Sequence, residues 1–445
     1  MLPLFATLAL LAQSPTTAHI SVHPEKVLGV TTPLSFGLNL FRGHDPVEAG
    51  SASYQKAIAA MRPGFVRYHS WEAMGDSKTT AQGWIDTKNH AWDAKKILNA
   101  LAALTTDQSN VLINIPTWPD WMDPNHHGVP DRPADFARWC ADLARILVNS
   151  PRKVTYLEIT NERDGAFYVD LRTNGGWGPP KDPNIPDRIS DLAQIYNLAA
   201  DAVKSVNPDL KVGGPAAARA DLLPFAEKFV DLTKDHLDFY SAHAYASGSA
   251  SDPDQKILTR ADQMVDSVKS LKDDVERHAG RPLPVLFDEF NISWTWETRD
   301  PRMTNHLGAV FDALILTQAA KDGIAGTAAW NERDGIYGKS SNDGALRPSA
   351  YLYGQLNTFG IGKIVQCDSS DSEIATFAIQ GQKGTAIWLI NRSPDFKKVS
   401  GLPGAKATLI SDTGMTELQG VTRLPPYSVC FIHPVSKMPR RQESD

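Results

Sequence analysis

Val154-Thr155-Tyr156-Leu157-Glu158-Ile159-Thr160 is a short run of β-branched, aromatic and aliphatic residues that stops at the polar pair Asn161-Glu162. Beyond it, Ile189–Val206 spaces its apolar residues at helical period, and a second apolar run follows at Leu210–Gly213. A strand, a helix and a strand in that order pair the two strands in parallel through a right-handed crossover. The same unit repeats in both directions. Upstream lie the runs Leu34–Phe41, Phe65–His69 and Val111–Ile115; downstream lie Leu237–His243, Val285–Phe290 and Gly326–Trp330. Helix-period segments such as Ala134–Val148, Thr259–His278 and Thr304–Lys321 stand between them. Eight strand runs between residues 34 and 360 predict an α/β fold closed as a (β/α)8 TIM barrel. An open doubly wound sheet is the rival architecture, and no G-x-G-x-x-G opens the first unit to support it.

After residue 360 the pattern changes. Ile374–Phe377, Thr385–Asn391, Ala407–Ser411 and Ser428–His433 alternate with turns and no long helix intervenes, which predicts a small C-terminal β-sandwich over 361–436. Residues 19–33 read as an N-terminal strand that joins it, and 437–445 as a mobile polar tail. Cys367 and Cys430 both fall in the sandwich, where they are either an oxidised pair or two buried thiols. With Cys140 they show no C-x-x-C spacing, so neither a zinc cluster nor a redox motif is expected. At the other end, Leu2–Ala12 is an apolar run followed by small residues. Residues 1–18 therefore read as a secretory signal peptide and the protein as secreted or periplasmic, although no Lys or Arg precedes the run. The run is too short to cross a bilayer, so no membrane partner is expected.

The composition is that of a globular protein: 445 residues, 42% hydrophobic and 22% charged, which excludes wholesale disorder. A formal net charge of −6 without any basic run argues against a nucleic-acid partner, which would demand clustered Lys and Arg. Eleven Trp is a high count, and sugar-binding clefts are one place that uses exposed indoles. Two loops concentrate Pro, Gly and Trp: Pro116–Pro133, with Trp118, Trp121, His126 and His127, and Asn174–Pro186, with Trp177. Both follow strand runs on the side where barrels build their sites. The His126-His127 pair has no ligand spacing and reads as solvated loop. No metal and no organic cofactor is expected, because no ligand cluster and no phosphate-cradling glycine loop is present. The sequence leaves a homo-oligomer open.

Two strand runs end in carboxylates. One is the run that ends in Asn161-Glu162; the other is Val285-Leu286-Phe287-Asp288-Glu289. They are fourth and seventh in strand order, which places them across the mouth of an eight-strand ring. Two carboxyls facing one cleft can divide their work, one holding a proton and one staying ionised, as glycosidic bond cleavage requires. Asp288 is expected to point to the opposite side from Glu289, since strand residues alternate. Asn331-Glu332-Arg333-Asp334 repeats the tetrad Asn161-Glu162-Arg163-Asp164. Glu332 lies one unit after Glu289, on a neighbouring strand, so Glu162 is the better partner. Glu332 is left to bind substrate hydroxyls or to pair with a loop cation.

The arrangement resembles the clan A retaining glycoside hydrolases, barrels with an Asn-Glu acid/base after the fourth strand and a Glu nucleophile after the seventh. It is most similar to glycoside hydrolase family 39, of β-xylosidases and α-L-iduronidases. That family's nucleophile strand commonly reads Glu-Phe-Asn, as Glu289-Phe290-Asn291 does here, and its second strand tends to carry Arg-x-His, as in Arg67-Tyr68-His69. Where that family usually has Trp-Asn-Glu-Pro, this chain has Thr160-Asn161-Glu162-Arg163, which leaves the substrate class open. The resemblance implies Glu162 as acid/base and Glu289 as nucleophile. It implies Asn161 as the partner of the sugar 2-hydroxyl, His243 and Tyr245 as a pair beside the nucleophile, and Arg67 as the cation that keeps Glu289 ionised. Trp330 would be the aromatic platform under the sugar, with His69 and Trp118 as further substrate-binding candidates. A retaining site needs its two carboxyls about 5–5.5 Å apart.

The expected function is thus a retaining glycoside hydrolase working on oligo- or polysaccharides by double displacement, with a pentoside or related neutral sugar ranked first and a uronide last. The alternatives are a clan A glycosidase of another family, a carbohydrate-binding barrel without catalysis, or a metal-dependent barrel hydrolase. Retention of both glutamates opposes the second, and the missing ligand cluster opposes the third.

Overall fold

The computed structural model describes residues 17–69, 83–104, 110–168, 188–402 and 404–435. The expected signal peptide falls mostly, and the Trp177 loop and the mobile tail entirely, outside the described residues.

Eight parallel strands close into a barrel in chain order. They are Gly37–Leu40, Phe65–Tyr68, Asn110–Ile115, Val154–Ile159, Lys211–Ala217, Phe239–Ser247, Val285–Ser293 and Gly326–Ala329. The last pairs with the first, Ala328 opposite Gly37, and leaves no edge. Each strand is followed by a helix. Pro133–Val148, for example, starts on a proline and turns Phe136, Trp139, Cys140, Leu143 and Leu147 to the barrel. Helix His306–Lys321 is buried nearly all round, because the second sheet covers the face that other helices show to water.

That second sheet has nine strands in one continuous ladder, and the ladder curls around its own core. Ala18–Val30 lies within it, antiparallel to Lys363–Ser369 and parallel to Lys397–Ser400. Period-two alternation sorts its side chains between two cores. Ile387, Leu389, Cys430 and Ile432 fill the sheet's own interior. Ala386, Trp388, Ile390, Val429 and Phe431 belong to the barrel's core. Cys367 and Cys430 are free thiols on strands separated by two others. Among the described residues no helix is long and apolar enough to cross a membrane.

Candidate active site

Inward-facing positions alternate along each barrel strand, and two layers follow from that. At the N-terminal end Phe65, Leu112, Phe239 and Leu286 fill the interior with Tyr156, whose ring meets Phe65 at 6.3 Å and Phe239 at 5.6 Å. Two residues further along the same strands stand Arg67, Asn114, Glu158, Ser241 and Asp288, all buried. An apolar plug thus supports a polar layer, and that layer is the floor of the site.

Arg67 is its hub. The side chain has no exposure, and a guanidinium out of water must be paired on every edge. Its Nε donates to Glu158 at 2.8 Å, Nη1 to Asn39 at 2.8 Å and to Glu289 at 3.1 Å, and Nη2 to Asn161 at 2.6 Å. Burial alone would lower its pKa; the acidic side chains around it, Glu158 first, outweigh burial and hold it charged. Glu158 is likewise opposed by burial, and Arg67 keeps it below the usual carboxylate range. Tyr245 donates its hydroxyl to the other oxygen of Glu289 at 2.6 Å.

Asp288 corrects the sequence reading. It does not point away from Glu289; its Oδ2 lies 3.5 Å from Arg67 Nε and its Oδ1 3.7 Å from His243 Nε2. Phe287 pairs with Ala242 and Glu289 with His243, so two steps on this strand match one on its neighbour. That is a β-bulge. Asp288 keeps the inward place set by Leu286, and the bulge turns Glu289 to the same side. Burial, then the charge of Glu158, pushes the Asp288 carboxyl well up.

Glu162 approaches from the fourth strand. Thr160 and Glu162 both adopt left-handed backbone, with φ of 69° and 53°, which ends the strand in a sharp turn. The Glu162 amide is tied to Ala216 O at 2.8 Å. Its carboxyl, 36% exposed to the cleft, lies 2.9 Å from His243 Nδ1. Burial of the polar end pushes Glu162 up to about 7, opposed by Arg67. Burial also drives His243 down to about 4, so the imidazole is neutral and its Nδ1 can accept a hydrogen bond from the protonated Glu162 carboxyl. One oxygen of Glu162, one of Glu289 and a ring nitrogen of His243 all lie within 4.8 Å of one another. The site therefore holds a carboxyl that keeps its proton near neutral pH beside one paired with a guanidinium and a phenol.

Among the aromatic candidates, Trp330 ends the eighth strand and meets Phe41 at 5.4 Å and His69 at 5.5 Å, both edge-on. His69 lies 2.7 Å from Asn114 Oδ1, and burial, then Arg67, lowers its pKa. Trp118 is closely packed. It is 5% exposed, edge-on to Phe136 and Phe167, with the Arg163 guanidinium 4.7 Å over its ring. Glu332 neither faces the cleft nor pairs with a cation: it is fully buried and accepts the amides of Phe41, Arg42 and Gly43 at 2.7, 2.8 and 3.0 Å. Sequence reasoning missed Asn39, Asn114 and Glu158. Their signal was available: Asn114 and Glu158 lie two residues past Leu112 and Tyr156, inward residues of the plug.

Residues 181–341 match the family model described as Glycosyl hydrolases family 39, a stretch that contains Glu289 and Glu332 but not Glu162. A beta-xylosidase of Caldicellulosiruptor saccharolyticus is 29% identical over 130 residues, 27% of this chain and 25% of that protein. The chain thus spans about a quarter of the length of that relative. Among solved structures, the family 39 beta-xylosidase from Caulobacter crescentus aligns with a TM-score of 0.62 at 16% identity, covering 94% of this chain and 100% of that one. The family 51 arabinofuranosidase from Xanthomonas axonopodis pv. citri aligns with a TM-score of 0.67 at 12% identity, covering 93% and 99%. The chain has the barrel-plus-sheet fold of these glycosidases and is family 39-like in the stretch that carries Glu289.

Proposed function

We propose that this protein is a retaining glycoside hydrolase that cleaves xylosides or a related neutral pentoside without a metal or organic cofactor. The observation that carries the reading is the pairing of Glu162 and Glu289, with oxygens within 4.8 Å. An inverting enzyme needs about 6.5–9.5 Å between its carboxyls to seat a water; a retaining one needs about 5–5.5 Å. Glu289, ion-paired with Arg67, attacks the anomeric carbon while Glu162 gives its proton to the departing oxygen. The result is a glycosyl ester on Glu289 and a free alcohol. Glu162, now ionised, takes a proton from water, whose oxygen attacks the anomeric carbon on the face the alcohol left, opposite Glu289, and displaces Glu289, so two inversions retain the configuration. Asn161 Oδ1 is held by Arg67 Nη2 at 2.6 Å, which fixes the side chain and leaves its amide N–H groups for the sugar 2-hydroxyl. The β-xylosidase relatives support a pentoside, and the apolar run Leu2–Ala12 supports export of the enzyme.

A panel of aryl xyloside, arabinoside, glucoside, galactoside and iduronide tests the reading. We expect xyloside or arabinoside turnover with the first-formed product retaining its configuration, insensitive to chelators. A 2-fluoro sugar should add one glycosyl unit to the peptide bearing Glu289. Inverted product, or a label on another peptide, would sink the double-displacement assignment.

A further inference from the structure

The repeated tetrad leaves Glu332 without a part in the chemistry, yet its carboxyl is fully buried and accepts from four donors. Three consecutive amides, those of Phe41, Arg42 and Gly43, converge on it at 2.7–3.0 Å, and the Tyr54 hydroxyl donates to it at 3.0 Å. Successive N–H groups curled on one anion form a nest, and charge-assisted bonds of this kind are about twice as strong as neutral ones. The backbone of Glu332 is tied as well. Its amide donates to Asn39 O at 3.0 Å, and its carbonyl accepts the Ser340 amide at 3.0 Å. The residue thus joins the exit of the eighth strand to the exit of the first. The two oxygens divide their partners: Oε2 holds Phe41 alone, while Oε1 takes Arg42, Gly43 and Tyr54. Phe41 in turn rests edge-on against Trp330 at 5.4 Å.

We propose that Glu332 is a positioning residue: by holding the backbone at Phe41–Gly43 it seats the Phe41 ring against Trp330 and so fixes the platform on which the sugar ring lies. The platform role of Trp330 rests on the glycosidase reading; the clamp itself rests on the contacts alone.

Glu332→Gln is the sharp test because it keeps shape and volume. With its carbonyl oxygen in the Oε1 place, three donors stay satisfied and an NH2 group meets the Phe41 amide, so only the Phe41 tie is broken. We expect KM for the best aryl glycoside to rise about tenfold with kcat within about threefold, the mark of lost binding rather than lost transition-state chemistry. Tyr54→Phe removes a donor from Oε1 without touching Phe41, and should lower thermal stability with KM unchanged. In a Trp330→Ala background Glu332→Gln should add no further rise in KM; independent multiplication of the two effects overturns the proposal. So does a fall in kcat at constant KM. If Glu332→Gln does not fold, Phe41→Ala carries the same expectation and the same refutation. If the wild type turns over no aryl glycoside, the functional reading fails and fluorescence decides the clamp. Trp330 emission, taken as wild type minus Trp330→Phe, should shift red in Glu332→Gln; an unmoved spectrum refutes the clamp.

Discussion

Asn161-Glu162-Arg163-Asp164 and Asn331-Glu332-Arg333-Asp334 are identical tetrads just past the ends of the fourth and eighth barrel strands, and their glutamates have different surroundings. Burial pushes both carboxyls up to about 7. Glu162 meets a neutral imidazole and the open cleft, so its proton can leave and return. Glu332 is enclosed by four donors and has no route to a substrate. The pH dependence of catalysis should report Glu162. A general acid must hold its proton in the free enzyme, so kcat/KM should decline as pH rises through about 7, where the Glu162 proton is lost. Glu162→Gln should abolish that alkaline limb for an activated aryl substrate, whose leaving group needs no proton, and should nearly silence poor leaving groups. Added azide should restore part of the activated turnover in Glu162→Ala, since a small anion can take the emptied place. A limb that persists in Glu162→Gln would assign the titration to another group.

At the scale of the element, the seventh strand shows what was legible in the sequence and what was not. Its existence, its parallel neighbours and the inward Leu286 follow from an apolar run between helices, because burial enforces the pattern along the whole strand. The bulge at Asp288 does not follow, since one extra residue in a ladder changes no side-chain pattern. Strict alternation accordingly sent Asp288 to the wrong side. The burial of Trp118 was illegible for a related reason. A Pro-rich loop looks exposed in one dimension, and only the arrival of Phe136 and Phe167 buries the indole. The partners of Glu332 are also remote, about 290 residues upstream. The bulge has a consequence for charge. One guanidinium faces Glu158, Asp288 and Glu289, and three anions there would leave two charges uncompensated in a buried layer. When all are written as carboxylates, Glu158 Oε1 and both Asp288 oxygens lack a donor; a proton on Asp288, shared with Glu158, supplies one. Asp288→Asn mimics a protonated Asp288 and should keep kcat within about threefold, whereas Glu289→Gln, which removes the proposed nucleophile, should cost about 10³-fold or more. A Asp288→Asn enzyme as inactive as Glu289→Gln would mean that Asp288 works as an anion.

For the whole molecule, the order of the chain matters as much as its layers. The second sheet is built from both sides of the barrel in sequence, with Ala18–Val30 before it and the strands from Lys363 onward after it. The barrel therefore closes inside a sheet whose first strand is made before the barrel and the rest after it. Their shared surface is apolar and interlocked. Trp388 has no exposure, lies 5.7 Å from Phe377 and 4.8 Å from Phe431, and Phe377 reaches Phe36 of the barrel at 6.5 Å. Polar ties cross it too: Lys321 Nζ donates to Thr376 O at 2.6 Å, and Arg392 to Leu258 O at 3.1 Å. Neither body can lose the other without exposing this layer and the largely buried helix His306–Lys321. Trp388→Ala should cost about 3–5 kcal/mol, the range for emptying a large buried aromatic site. The effect should not be confined to the sheet. Denaturant unfolding followed by far-UV circular dichroism, by tryptophan emission and by loss of aryl glycoside turnover should give one coincident transition, and Trp388→Ala should move all three midpoints together. A sheet that melts first, leaving turnover intact at denaturant concentrations where the Trp388 environment is already lost, would show two independent bodies. The buried layer between them would then be a contact surface rather than a shared core.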